Sequence, residues 1–148
     1  MTTTAPGQTT GFSAQERDAM KSRAAELRAE GKKGAKLADG LQAALDSIAA
    51  MTPQDRALAE RVHVTVTAAA PALLPKTWYG MPAYTNADGK VVVAFKNAGK
   101  FGLRYSTLEF QDAAHLDNGD AWPVSYAIVN WTAQVEQQVT DLVTAATS

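Results

Sequence analysis

The chain has 148 residues, of which 46% are hydrophobic and 20% are charged. This length and composition are typical of one globular domain with a core of its own. The sequence contains no Cys, which excludes disulfides, thiolate metal sites and cysteine nucleophiles. A formal net charge of −1 provides no long-range field that would attract nucleic acid or an anionic membrane. We therefore expect neither of these two partners.

The N-terminal part of the sequence divides into a tail and a helix. Residues 1–11 are rich in Thr and Gly and lack the apolar run of a signal peptide, so we expect a flexible tail and a cytoplasmic location. Ser13 and Glu16 have the spacing of a capping box, which predicts that a helix begins here. Its apolar stripe is narrow, so residues 12–34 are predicted to be an extension that packs peripherally, packs on a partner or frays.

Residues 35–148 are predicted to form a single α+β domain that begins with two helices. The first helix has an apolar face at helical spacing, made of Leu37, Leu41, Leu45, Ile48 and Met51. Thr52 and Pro53 mark the start of the second helix, as an N-cap followed by proline at the first helical position. Its inner face consists of Leu58, Val62, Val66 and Ala69.

The period of the apolar pattern changes from Lys76 onward, which indicates strands. Lys76 to Tyr79 is β-prone, and an Asp-Gly pair predicts a hairpin between residues 83–85 and 90–95. A further strand is predicted over 101–105. Residues 109–120 are predicted to form a short helix followed by a turn at Asn118-Gly119, and a last strand is predicted over 125–129. Thr132 then caps a closing helix. Together these elements predict an α+β fold, in which an antiparallel sheet of about four to five strands packs against helices and carries an N-terminal helical extension.

One segment carries a family resemblance. The residues from Pro75 to Tyr84, PKTWYGMPAY, resemble the signature of the YdhG-like bacterial family, a domain of unknown function. Gly89 to Val92, Ile128 to Thr132 and the leading Phe12 to Arg17 are also similar to that family. Some members are called iron chaperones or frataxin-like, because they are thought to deliver iron to cluster or haem assembly. The resemblance therefore implies iron handling and an iron-accepting partner protein, and it supplies no catalytic residues.

The aromatic residues around Gly80 are the most informative feature of the sequence. Gly80 predicts a positive φ or a close approach of the backbone, and aromatic side chains around such a turn can form the wall of an apolar pocket. We interpret five residues as candidate ligand-binding residues: Trp78, Tyr79, Gly80, Met81 and Tyr84. The alternative is that they only pack the sheet. In either case Trp78 and Tyr79 are expected on opposite faces of one strand, with Trp78 the more buried.

Two groups of charged residues are further candidates. Lys96 and Arg104 flank the second hairpin, and with Lys76 they could form a cationic lip that binds a carboxylate or phosphate group of a ligand. The alternative is an ordinary solvated sheet face. A loose set of possible iron ligands comprises Asp112, His115, Asp117 and Asp120. Because Asp and Asn before Gly are also ordinary turn residues, the metal site is left open and no cofactor other than possible iron is considered.

The sequence favours binding over catalysis. It contains no G-x-S-x-G elbow, no P-loop and no G-x-G-x-x-G pattern. The leading hypothesis is a non-enzymatic cytoplasmic protein that binds a small molecule in an aromatic pocket around Trp78–Tyr84. The alternatives are an iron-handling metallochaperone, and a protein-interaction module that uses its N-terminal helix. The chain is expected to be a monomer or a homodimer.

Overall fold

The computed structural model describes residues 13–30 and 37–148. Within them the helices are α1 (Ala14–Glu30), α2 (Leu37–Ala49), α3 (Pro53–Ala69), the single turn α4 (Ala98–Phe101) and α5 (Ala133–Ala146). The strands are β1 (Leu74–Trp78), β2 (Met81–Thr85), β3 (Val91–Lys96), β4 (Ser106–Phe110) and β5 (Ser125–Ile128). They form one antiparallel sheet in chain order. The predicted α+β fold is therefore confirmed, and α1 is its N-terminal helix.

The two faces of the sheet contribute to different apolar clusters. Tyr84 and Phe95 belong to the main core, which also contains buried residues of α2, α3 and α5. Ala83 and Ala94, their neighbours along the strands, belong to a smaller cluster that includes Met81. Because successive side chains of a strand point to opposite faces, this alternation places a second apolar surface on the other side of the sheet from the main core.

The predicted helix starts are confirmed by their hydrogen bonds. The Ser13 amide donates to Glu16 Oε1 over 2.9 Å, and the Glu16 amide donates to Ser13 Oγ over 3.1 Å, which completes the capping box. The hydroxyls of Thr52 and Thr132 likewise accept from the third residue of α3 and of α5. The tail expected over 1–11 lies outside the described residues, and so do residues 12 and 31–34 of the predicted extension. No helix in the described part of the chain is long and apolar enough to cross a membrane.

The buried face predicted for α2 is wrong at three of its five positions. Leu37 is 67% exposed, Leu41 is 38% exposed and Leu45 is 39% exposed. A Cβ built on Gly40 would lie only 2.7 Å from the carbonyl oxygen of Pro75, so α2 approaches β1 through its smallest residue. Ala44, one turn further along α2, is fully buried. Close contact through small side chains turns the leucines outward.

The strand predicted over 101–105 and the helix predicted over 109–120 are also wrong. Residues 98–101 form one helical turn, which Gly102 ends with a left-handed φ of 65°. The fourth strand starts at Ser106 and pairs with β3, with Leu108 opposite Phe95. Residues 111–124 contain no helix or strand. The pairing of β4 with the central strand β3 outweighs the local pattern that suggested the other elements.

His63 and Tyr84 form a polar pair at the edge of the main core. The Tyr84 hydroxyl lies 2.8 Å from His63 Nδ1. Burial lowers the pKa of His63 and raises the pKa of Tyr84, so burial favours the neutral form of both side chains. His63 is therefore a hydrogen-bonded histidine at the edge of the main core.

This pair predicts a pH dependence of stability. The unfolded chain has an ordinary histidine pKa of about 6.5, whereas the folded pKa is lower, so the unfolded state takes up the proton first. The contribution of this pair to the free energy of unfolding should be complete above the unfolded pKa of about 6.5. It should decrease as the pH drops from that value toward the folded pKa. Urea titrations on both sides of this range test it. His63→Gln should reduce the loss and His115→Gln should not; an undiminished loss in His63→Gln would contradict the assignment.

Candidate functional site

The β1–β2 turn is the geometric centre of the candidate site. Trp78 pairs with Met81, and the two residues between them have φ values of 54° at Tyr79 and 76° at Gly80. Two positive φ values in a two-residue hairpin loop define a type I′ turn. The predicted positive φ of Gly80 is confirmed. Tyr79 is strained, because a left-handed conformation costs a non-glycine residue about 1–2 kcal/mol.

The turn changes the expected directions of Trp78 and Tyr79. The strand alternation that would separate them ends at Trp78, because Tyr79 is already a turn residue. Their ring centroids lie 5.1 Å apart in an edge-to-face arrangement, and both rings line the same groove. The expectation that they occupy opposite faces is therefore wrong. Trp78 is the more buried of the two, as predicted, since Tyr79 is 36% exposed.

We call this groove the aromatic groove. It has a volume of about 300 Å³ and lies between the first half of α1 and the sheet face opposite the main core. Ala19 and Met20 of α1 form one wall. The sheet side is formed by the apolar side chains of Trp78, Tyr79, Met81 and Phe101. Three residues of the predicted aromatic site, Trp78, Tyr79 and Met81, are thus brought together.

The aromatic groove also contains charged groups of both signs. Lys96 Nζ lies 5.1 Å from the ring centroid of Phe101, which is a cation–π distance. Glu16 and Glu109 line the groove as well. Hydrogen bonds from Ser13 lower the pKa of the Glu16 carboxyl, with a smaller contribution from Lys96. The groove therefore suits a ligand with an apolar body and a polar end that can both donate and accept hydrogen bonds.

Three predicted site residues do not belong to the aromatic groove. Tyr84 is fully buried in the main core, so its assignment as a ligand-binding residue is wrong; it lies on the opposite face of the sheet. Gly80 lines a second cavity. The Arg104 guanidinium lies 4.8 Å from the ring centroid of its neighbour Tyr105 in an exposed segment. The expected lip of three cations is therefore not assembled, and Lys96 is the one member that lines the groove.

Glu26 of α1 is a site residue that the sequence did not reveal. Its Oε1 accepts from the Tyr79 amide over 2.9 Å and its Oε2 accepts from the Gly80 amide over 3.0 Å. Arg23 Nη1 lies 3.6 Å from Glu26 Oε1, and the Arg23 guanidinium lies 5.9 Å from the Tyr79 ring centroid. Two successive amides that converge on a carboxylate form an anion-binding nest. The turn thus holds α1 through one side chain.

The second cavity, which we call the polar cavity, adjoins the other side of the turn. It has a volume of about 700 Å³ and is bordered by α1, α2, the α2–α3 connection, the β1–β2 turn and the start of α4. Its polar lining includes Ser22, Glu26, Asp46, Asn97 and Lys100. No sequence pattern pointed to this cavity, because its residues come from distant parts of the chain.

The loose metal set is not assembled. No group of three or more His, Cys, Asp or Glu side chains is placed to hold a metal ion within residues 13–30 and 37–148. The helix that would have put Asp112 and His115 on one face is absent. His115 Nδ1 instead lies 3.1 Å from the backbone oxygen of Ser148.

Comparisons with known proteins gave no match among protein-family models, curated proteins or solved structures. The resemblance to the YdhG-like family therefore stays a prediction that rests on the residues quoted for it.

Proposed function

We propose that this domain is a non-enzymatic cytoplasmic binding protein that holds a small molecule with an apolar body in the aromatic groove. The observation that carries the proposal is the convergence of Trp78, Tyr79 and Met81 with Met20 around one concavity. Tyr79 is 36% and Met20 is 46% exposed, so apolar area faces water at this place. Covering such area with a ligand is favourable.

The conformation of Tyr79 supports the same function. Type I′ turns favour Asn, Asp or Gly at this position, and Tyr is locally unfavourable there. Backbone strain of this kind persists where the surrounding structure holds it, and it is concentrated at binding sites. Here the strained residue supplies an aromatic wall of the groove. The volume of about 300 Å³ lies at the lower end for ligand sites, which favours a single or fused ring system.

Replacing Tyr79 by Asn separates binding from folding. The change should preserve or raise the melting temperature, because Asn-Gly is the preferred pair for a type I′ turn. It should weaken binding of the uncharged fluorescent probe N-phenyl-1-naphthylamine about tenfold, which corresponds to losing roughly 1.4 kcal/mol of aromatic contact. Fluorescence titration and thermal melts measure the two effects.

The matched control is Tyr105→Asn, because Tyr105 is 37% exposed and lies outside both cavities. This control should bind the probe as the wild type does. Equal affinities of the two variants, or no probe binding by the wild type, would contradict the proposal. If the probe binds as expected, native mass spectrometry of freshly purified protein would identify a ligand that the groove retains.

A further inference from the structure

The outer edge of β5 is left unpaired by the fold. Strand β5 is the last strand of the sheet, and no strand in the described part of the chain pairs with its outer side. The opposite edge differs, because α2 packs along β1 and approaches the carbonyl oxygen of Pro75 through Gly40. Proteins usually cover or protect an open edge, since its unpaired N–H and C=O groups bind other strands.

The hydrogen bonds to β4 determine which backbone groups of β5 face this open edge. The Phe110 amide donates to the carbonyl oxygen of Val124 over 2.7 Å. In an antiparallel pair, residues whose backbone groups bond to the neighbouring strand alternate with residues whose groups point away. Tyr126 is the next residue whose groups point toward β4. The N–H and C=O groups of Ser125 and Ala127 therefore point to the open edge.

The side chains at this edge favour association. Ala127 is exposed, and the two valines that flank the strand, Val124 and Val129, are 44% and 60% exposed. No residue between Asp120 and Glu136 carries a charge. Charged side chains, Lys above all, are a common protection of edge strands, and β5 lacks it. The edge therefore combines unpaired backbone groups with exposed apolar side chains.

A second copy of this chain is complementary to the edge. Two β5 strands can pair antiparallel around a two-fold axis, in which case each copy presents the same surface to the other. Like charges directly opposite each other destabilise such a pair, and this strand has none. The formal net charge of −1 adds little repulsion between whole molecules. Ala127 lies in the middle of residues 125–129, so its small side chain suits the position on the axis.

We propose that two copies of this chain associate through β5 and form one continuous antiparallel sheet, with the two-fold axis at Ala127. Ala127 then faces Ala127 of the second copy, and Ser125 faces Val129 of the second copy. Because β5 spans only Ser125–Ile128, the interface is small and the dimer is weak and concentration-dependent. The proposal is independent of the aromatic groove, because no residue of β5 lines that groove.

Sedimentation equilibrium of the full chain over a concentration series measures the association. We expect the mass to rise from that of one chain to that of two, with a Kd in the micromolar range. A chain that stayed monomeric up to about 1 mM, where only very weak association would escape detection, would overturn the proposal. The open edge would then be left to a strand of another protein.

Charges introduced at position 127 test the two-fold pairing. Ala127→Lys and Ala127→Glu should each weaken self-association roughly fivefold, because like charges then face each other across the axis. A mixture of the two variants should associate again, since opposite charges then meet. Ala87→Lys, in the exposed β2–β3 turn, is the matched control and should dimerise as the wild type does. Unchanged association of Ala127→Lys, or a mixture that stays as weak as its components, would contradict the pairing.

A disulfide tests the same pairing without a change of charge. The chain contains no Cys, so one introduced thiol forms a disulfide-linked dimer only with its copy in a second molecule. Residues that face each other at a hydrogen-bonded antiparallel pair have Cα atoms about 5.5 Å apart, which suits a disulfide. With oxidised glutathione as the oxidant, Ala127→Cys should yield a covalent dimer on a non-reducing gel, and Ala87→Cys should not. Equal cross-linking of the two variants, or none in Ala127→Cys, would refute this interface.

Discussion

Gly80→Val should lower the free energy of unfolding by more than Gly89→Val, although the two glycines have nearly the same φ, 76° and 78°. Each substitution places a β-branched side chain at positive φ, which costs on the order of 1–3 kcal/mol. A Cβ at position 80 would lie 2.8 Å from Lys100 Cε and 3.2 Å from Ser22 Oγ, whereas a Cβ at position 89 would have nothing within 4 Å. The difference between the two losses therefore measures crowding at the turn.

Urea titrations of the two variants give this difference directly, because the backbone strain is common to both. Repeating Gly80→Val in a Lys100→Ala background should reduce its cost, since a flexible side chain that must move away is then absent. The Ser22 contact remains in that background, so the reduction should be partial. Equal losses at positions 80 and 89 would mean that α1 and Lys100 do not pack closely on the turn.

Features set by neighbouring residues could be predicted from the sequence. The capping box of Ser13 and Glu16 and the N-cap at Thr52 involve residues three apart, and they form as expected. The hairpin around Gly89 and the positive φ of Gly80 follow from the small set of backbone conformations that tight turns allow. Signals of this kind need no knowledge of the rest of the fold.

Features that depend on distant contacts could not be predicted in this way. The exposed side of α2 is decided by the close approach of Gly40 to β1, which no helical periodicity contains. Strand β4 is decided by pairing with β3. The orientation of α2 and the position of β4 both result from tertiary contacts that override local preference.

The candidate site shows the same division. The sequence identified Trp78, Tyr79 and Met81 because a Gly turn among aromatic residues is a local pattern. It placed Tyr84 with them, although strand alternation buries Tyr84 on the other face. It missed Glu26, whose partners lie 53 and 54 residues further along the chain. A carboxylate on an otherwise charged helix carries no sign of such a contact.

Glu26→Ala should release α1 from the rest of the domain. The substitution removes both hydrogen bonds to the turn amides, and a bond to a charged group contributes about 1.5–3 kcal/mol. Little apolar area remains to hold the helix. Ala19 is the one buried residue among the described side chains of α1, while Met20 and Leu27 are 46% and 52% exposed. Isolated helices of this length are marginal in water, so α1 should also lose helical structure once it is released.

Hydrogen exchange followed by mass spectrometry would measure the release as faster exchange over residues 14–30, and circular dichroism would show a loss of helical signal. Cooperative unfolding of the sheet and of α2, α3 and α5 should persist, because the main core contains no residue of α1. The aromatic groove would lose the wall formed by Ala19 and Met20, so affinity for N-phenyl-1-naphthylamine should fall as well. Asp18→Ala removes an exposed carboxylate from the same helix and should change none of these measurements. If α1 stayed protected in Glu26→Ala, the contact between Glu26 and the turn would not be what holds the helix, and apolar packing against the sheet would have to be the larger contribution.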